Sequence, residues 1–278
     1  MLPWHPVYSW TAARERARSG RTMSEQPRLC YFICCTPRSG SSLLAEALAN
    51  TGLAGNPDEH TTELLEPWHT GFTVADFRKA LQPMLDRGSR DGVFGAKLMW
   101  PWLEDLSKKL AFLVPREGAS VGEVMAKVFP DPHYIMLTRR DKVRQMISMG
   151  RAVWTNVWRS TEAANQQGRV EDLRLDPRAV DHEMRVFRDL EASFERFFFE
   201  NGIKPFRVVY EQLVDRYEET ALEVLDFLGI AHPPSLSFAP RVLERQWDAA
   251  SDELLRQYYA AKGITPLSEV VQGRDSAN

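Results

Sequence analysis

The sequence predicts an α/β fold: one doubly wound domain over residues 28–266, with a parallel sheet flanked by helices. Three observations predict it. A continuous apolar run at 29–35 leads into a tight Ser/Gly loop and then into a helical pattern. Further β-rich runs recur at 92–99, 133–138 and 206–210. Capped helical patterns alternate with these runs, as a parallel sheet requires, because its strands are joined by crossovers.

Residues 1–27 are expected to lie outside the domain. They mix Trp4 and Trp10 with Arg14, Arg16, Arg18 and Arg21 and contain no continuous apolar stretch, so they do not read as a secretory signal. A disordered extension, or a non-native one with Met23 as the true start, fits them better. The domain then opens on Leu29-Cys30-Tyr31-Phe32-Ile33-Cys34-Cys35, which has the pattern of a strand buried on both faces. Residues 36–40 break the run. Residues 41–50 set Leu43, Leu44, Ala47 and Leu48 on one side of a helix that Gly52 ends. Farther on, Asp176 stands as N-cap before Pro177, and Val180, Met184, Phe187, Leu190 and Phe194 keep helical spacing up to a stop at Gly202. Residues 217–228 form another amphipathic helix, closed by Gly229, and 267–278 are a polar tail.

Composition narrows the function. The chain has 278 residues, 44% hydrophobic and 26% charged, as expected of an ordinary globular protein. A formal net charge of −3 argues against a nucleic-acid partner. No run approaches the ~20 apolar residues of a membrane span. Cys30, Cys34 and Cys35 are odd in number and lack paired C-x-x-C spacing, so buried, reduced thiols of a cytoplasmic protein are expected, with no metal.

The chemistry centres on the loop Cys35-Thr36-Pro37-Arg38-Ser39-Gly40-Ser41-Ser42. A Ser/Gly loop between a buried strand and a helix start offers backbone N–H groups and a helix dipole to an anion. Arg38 adds a forked cation, and Ser39, Ser41 and Ser42 add hydroxyls. A nucleoside-triphosphate loop needs a G-K pair, which is missing here. The strand at 133–138 runs into Arg139 and Arg140, where a metal-dependent kinase would want an acid. Two phosphate-like groups and no metal describe 3′-phosphoadenosine-5′-phosphosulfate (PAPS).

These residues resemble the sulfotransferases. The segment 36–44 looks like their 5′-phosphosulfate loop, and Arg139, Arg140 and Ser148 look like their 3′-phosphate site. Arg140 to Ser148 has the usual spacing of eight, but the closer alignment favours Arg139. That closer match is the bacterial Stf0 group, the trehalose 2-sulfotransferases. Gly95-Ala96-Lys97-Leu98-Met99-Trp100, Arg151-Ala152-Val153-Trp154, Val157-Trp158-Arg159 and Leu243-Glu244-Arg245-Gln246 carry it, over residues 29–258. The resemblance implies a P-loop-like sheet, PAPS as donor with PAP as product, a carbohydrate or glycolipid acceptor, and a homodimer.

The same resemblance assigns the general base to Glu59, within Gly55-Asn56-Pro57-Asp58-Glu59, and places Arg38 on the phosphosulfate. Asn56, Pro57, Asp58, Glu59, His60 and Trp68 are the candidate acceptor contacts. His60 adjoins Glu59 and, with an ordinary pKa near ~6.5, is the rival base. Two departures bear on the acceptor: Pro37 stands where the group has Gln, and Glu59-His60-Thr61-Thr62 lacks the aromatic pair that follows the base. A small-molecule kinase and a catalytically inactive nucleotide-binding relative remain as alternative readings.

Overall fold

The computed structural model describes residues 27–65, 73–111, 118–129, 131–165, 167–244 and 246–265. Five strands form one sheet: β1 (Leu29–Cys35), β2 (Ser89–Arg90), β3 (Val93–Leu98), β4 (His133–Thr138) and β5 (Phe206–Val209), in the order β2-β3-β1-β4-β5. β3, β1, β4 and β5 are parallel, and the two-residue β2 pairs antiparallel to β3. The expected strands at 29–35 and 133–138 coincide with β1 and β4. Those at 92–99 and 206–210 are trimmed at their ends, Tyr210 instead opening a helix.

The continuous apolar runs follow from burial on both sheet faces. Cys30, Phe32 and Cys34 of β1 pack with Phe94, Ala96 and Leu98 of β3 and with Tyr134 of β4. That face is covered by α2 (Val74–Gly88), α3 (Trp100–Leu110), α4 (Val121–Val128) and α6 (Pro177–Glu200). Tyr31, Ile33 and Cys35 point to the other face, with Val93, Ile135, Leu137 and Val208. There α1 (Ser41–Asn50) and α8 (Tyr217–Phe227) supply Leu44, Leu48, Val224 and Leu225. α5 (Lys142–Thr155) packs with α6 and with α9 (Ala249–Lys262), and the short α7 (Tyr210–Asp215) follows β5.

From β1 the chain crosses to β3 on one side and then returns to β4 on the other, so the order reverses about β1. In an open parallel sheet the crevice at such a reversal, beyond the carboxyl ends of the strands, is where ligands bind. Residues 36–40, Met99 and 139–141 follow directly from β1, β3 and β4 at this edge.

Candidate active site

The loop after β1 is shaped by two left-handed residues, Arg38 at φ 58° and Gly40 at φ 98°. Alternation of this kind curls successive backbone N–H groups into a concave cradle for an anion. Gly40 is also the N-cap of α1, and a Cβ there would sit 2.4 Å from Tyr210 Cδ2, so no larger residue fits. Gln145 of α5, wholly buried, secures the base of the loop. Its Nε2 donates to Thr36 Oγ1 at 2.9 Å and to the Pro37 carbonyl at 2.7 Å. Ser39 Oγ is buried, with the Cys35 thiol as its polar neighbour. Burial pushes that thiol up to about 11, so it stays neutral.

Two guanidinium groups converge on the loop. Arg38 Nε donates to Ser148 Oγ at 2.9 Å, Nη2 to Gln246 Oε1 at 2.7 Å, and Nη1 to the Trp158 carbonyl. Arg139 Nη1 donates to the Arg38 carbonyl at 3.2 Å, its guanidinium lies 4.5 Å from the Tyr210 ring centroid, and its buried Nε makes no hydrogen bond. Among the described residues, neither arginine has a carboxylate within ion-pair distance. Burial and then the charge of Arg139 push Arg38 down to about 10, and burial also lowers Arg139. Such a pair lacks an anion. Arg140 is exposed, and Glu211 accepts from its backbone N–H at 3.1 and 3.2 Å. The structure therefore brings Arg139, and not the side chain of Arg140, against the loop.

Residues 55–59 run alongside β3. Asp58 bridges Ala96, Lys97 N donates to the Asp58 carbonyl at 2.8 Å, and Asn56 N donates to the Gly88 carbonyl at 3.0 Å. Gly55 makes this approach possible: at φ 73°, a Cβ would lie 2.5 Å from the Val93 carbonyl oxygen. The register delivers Glu59 beside Lys97, with Nζ 3.0 Å from Glu59 Oε1, 3.0 Å from Asp58 Oδ1 and 3.4 Å from Ser42 Oγ. Glu59 is thus one ammonium away from the anion loop, and its side chain keeps 27% of its surface exposed, enough to meet a substrate.

The remaining candidates are placed as follows. Arg159 Nη2 donates to both Asp58 oxygens at 2.6 and 2.8 Å. Burial alone would raise the Asp58 pKa, but Lys97 and Arg159 outweigh it and hold the carboxyl well below the usual range. Burial likewise opposes the Lys97 charge, and the Glu59 and Asp58 carboxylates overcome it, raising the lysine pKa. His60 Nε2 lies 2.7 Å from the Asn56 carbonyl oxygen, Asn56 is exposed, and Pro57 is buried. Trp68 and Arg245 lie outside the described residues. Arg151 donates to the Gln246 carbonyl at 2.9 Å and grips Asp248, the N-cap of α9. Trp100 is partly buried against the core and packed edge-on against Phe194. Sequence reasoning placed Lys97 and Gln246 inside motifs of the resemblance but gave neither a role, and it did not single out Gln145. Lys97 also stood out as a single charge inside an otherwise apolar strand; Gln145 carried no signal.

Comparison with known proteins gives the family. A family model described as Stf0 sulphotransferase matches residues 30–261. The trehalose 2-sulfotransferase of Mycobacterium tuberculosis (Erdman strain) is 32% identical over 258 residues, covering 83% of this chain and 94% of the relative. That of Mycolicibacterium smegmatis is 31% identical over 264 residues, covering 85% and 96%. Among solved structures, the sulfotransferase domain of the Synechococcus PCC 7002 olefin synthase aligns with a TM-score of 0.39 at 14% identity, over 94% of this chain and 99% of that one. The sulfotransferase domain of the curacin biosynthetic pathway aligns with a TM-score of 0.38 at 15% identity, over 76% and 77%. Those two likenesses are too loose to argue from. On the family match and the two sequence relatives, the chain belongs to the Stf0 sulphotransferase family and is a sulfotransferase.

Proposed function

We propose that the protein transfers a sulfuryl group from PAPS to a hydroxyl of a carbohydrate or glycolipid, trehalose being the first candidate because both sequence relatives are trehalose 2-sulfotransferases. One observation carries the donor: buried Arg139 and half-buried Arg38, with no carboxylate within ion-pair distance among the described residues, meet the buried Ser39 hydroxyl at a loop with two left-handed residues. Those groups fit a ligand with anionic charge at two places. Arg38, Ser39, Gly40, Ser41 and Ser42 would hold the 5′-phosphosulfate, and Arg139 with Ser148 the 3′-phosphate.

PAPS supplies the sulfuryl group and a phosphate that departs with the bond electrons. Glu59 accepts the proton of the attacking hydroxyl, which needs a carboxylate that is both accessible and oriented. Arg38 and the loop balance the charge gathering on the leaving phosphate. Asn56 and His60, whose ring Nε2 lies 2.7 Å from the Asn56 carbonyl oxygen, are the candidate acceptor contacts beside Glu59 in the chain. Among the described residues no helix is long and apolar enough to cross a membrane. The buried free thiols support a cytoplasmic site of action. The family resemblance supports a homodimer, which light scattering would register at twice the 31.8 kDa of the chain.

The test is transfer of label from [35S]PAPS to trehalose, to other sugars and to glycolipids, in the presence of a chelator. A labelled sugar ester is expected. Transfer of phosphate from Mg-ATP to the same sugars, with none of sulfate, would replace the proposal with a kinase.

A further inference from the structure

We infer that Lys97 is the positioning residue of this reaction: clamped by Asp58 and Arg159, it holds one oxygen of Glu59 and leaves the other to take the proton. The inference rests on the reading of Glu59 as the base. Lys97 is the penultimate residue of β3, between Ala96 and Leu98 and opposite Ile33, and is only 1% exposed. An apolar residue would suit that position, since burying an ammonium is costly unless partners surround it.

Its partners account for all of it. An ammonium has three N–H donors, and three acceptors lie within reach: Asp58 Oδ1 and Glu59 Oε1 at 3.0 Å, and Ser42 Oγ at 3.4 Å. No donor is left over for a substrate, so the lysine acts through Glu59. Asp58 is itself immobilised, because Arg159 Nη2 spans both its oxygens. Asp58, read from the sequence as a sugar contact, is here the fixed post to which Lys97 is tied. Glu59 Oε1 is anchored, whereas Oε2 has no hydrogen-bond partner among the described residues and belongs to a side chain still 27% exposed. Fixing the carboxylate by one oxygen removes rotamer freedom from the base before the acceptor arrives. The contact with Ser42 sets that orientation relative to the loop holding the donor.

The experiment compares Lys97→Met with the full-length wild type, each alone and combined with Glu59→Gln. Turnover is read as PAP release from PAPS, onto trehalose or, without added sugar, onto water, and PAP affinity is read by calorimetry. Lys97→Met is expected to lower kcat by roughly tenfold or more, to leave PAP affinity within about threefold, and to add almost nothing to the Glu59→Gln loss. Unchanged kcat, a loss confined to PAP affinity, or a loss that multiplies with that of Glu59→Gln would each overturn the inference. If Lys97→Met does not fold, Lys97→Gln, which keeps a donor without the charge, is judged by the same criteria. Full activity of Glu59→Gln would instead overturn the reading of the base, whatever Lys97 does.

Discussion

Glu59 and Asp58 are adjacent carboxylates that share one lysine, yet their surroundings divide the work between them. Asp58 is closed off by Arg159 and Lys97, and Glu59 keeps an open oxygen. Glu59→Gln is therefore expected to bind PAP as the wild type does and to lose roughly 10²–10⁴-fold in kcat, the usual share of a general base. Undiminished turnover would move the role to His60. Asp58→Asn tests the clamp through pH. Because the folded carboxyl is held below its unfolded value, its contribution is complete above the ordinary Asp range and is lost as pH falls toward the folded pKa. Thermal melts should show a lower Tm for Asp58→Asn at neutral pH, a steady gap down to about pH 5, and a narrowing gap below about pH 4. A gap that widens on acidification would contradict the clamp. At this scale the sequence displayed the motif but not the division of labour. Asp58 looked like a second sugar contact because chain adjacency says nothing about which side chain a strand register aims at a buried lysine.

The loop between β1 and α1 works because of the elements that brace it: Tyr210 of α7 against Gly40, and Gln145 of α5 beneath Thr36 and Pro37. Gly40→Ala would place a methyl group 2.4 Å from Tyr210 Cδ2 and hold a non-glycine residue at φ 98°. The left-handed backbone alone costs about 1–2 kcal/mol. Denaturant melts should show at least that loss, and calorimetry a collapse of PAP affinity; wild-type affinity would mean that the loop does not form the donor site. The elements differed in how readily their residues announced them. β1 and β4 are buried on both faces, so their apolar runs had no competing interpretation. α6 was marked at its start by Asp176 and Pro177, which the structure shows as N-cap and first residue. α2 and α3 were not singled out from the sequence; α2 holds Pro83 inside it and α3 opens on Trp100-Pro101, and a proline blurs a helical pattern. β2 has two residues, too short to leave a pattern.

Over the whole molecule, a chain of net charge −3 gathers Arg38, Arg139 and Lys97 at the carboxyl edge of three adjacent strands. Asp58 and Glu59 neutralise Lys97, whereas Arg38 and Arg139 have no carboxylate within ion-pair distance among the described residues. That asymmetry suits the proposed reaction, in which the arginine side would take the anion and Glu59, beyond the Lys97 ammonium, would take the proton. The fold class was legible from strand and helix alternation. The site was legible only as motifs scattered along the chain, because which of them meet depends on the strand order. Isothermal titration of the ligand-free protein with PAP, in a chelator and with Mg-ATP titrated in parallel, tests the donor site most directly. Saturable, metal-independent binding of PAP that weakens with rising salt and is abolished in Arg139→Ala is the predicted result. Binding of Mg-ATP with none of PAP would contradict it.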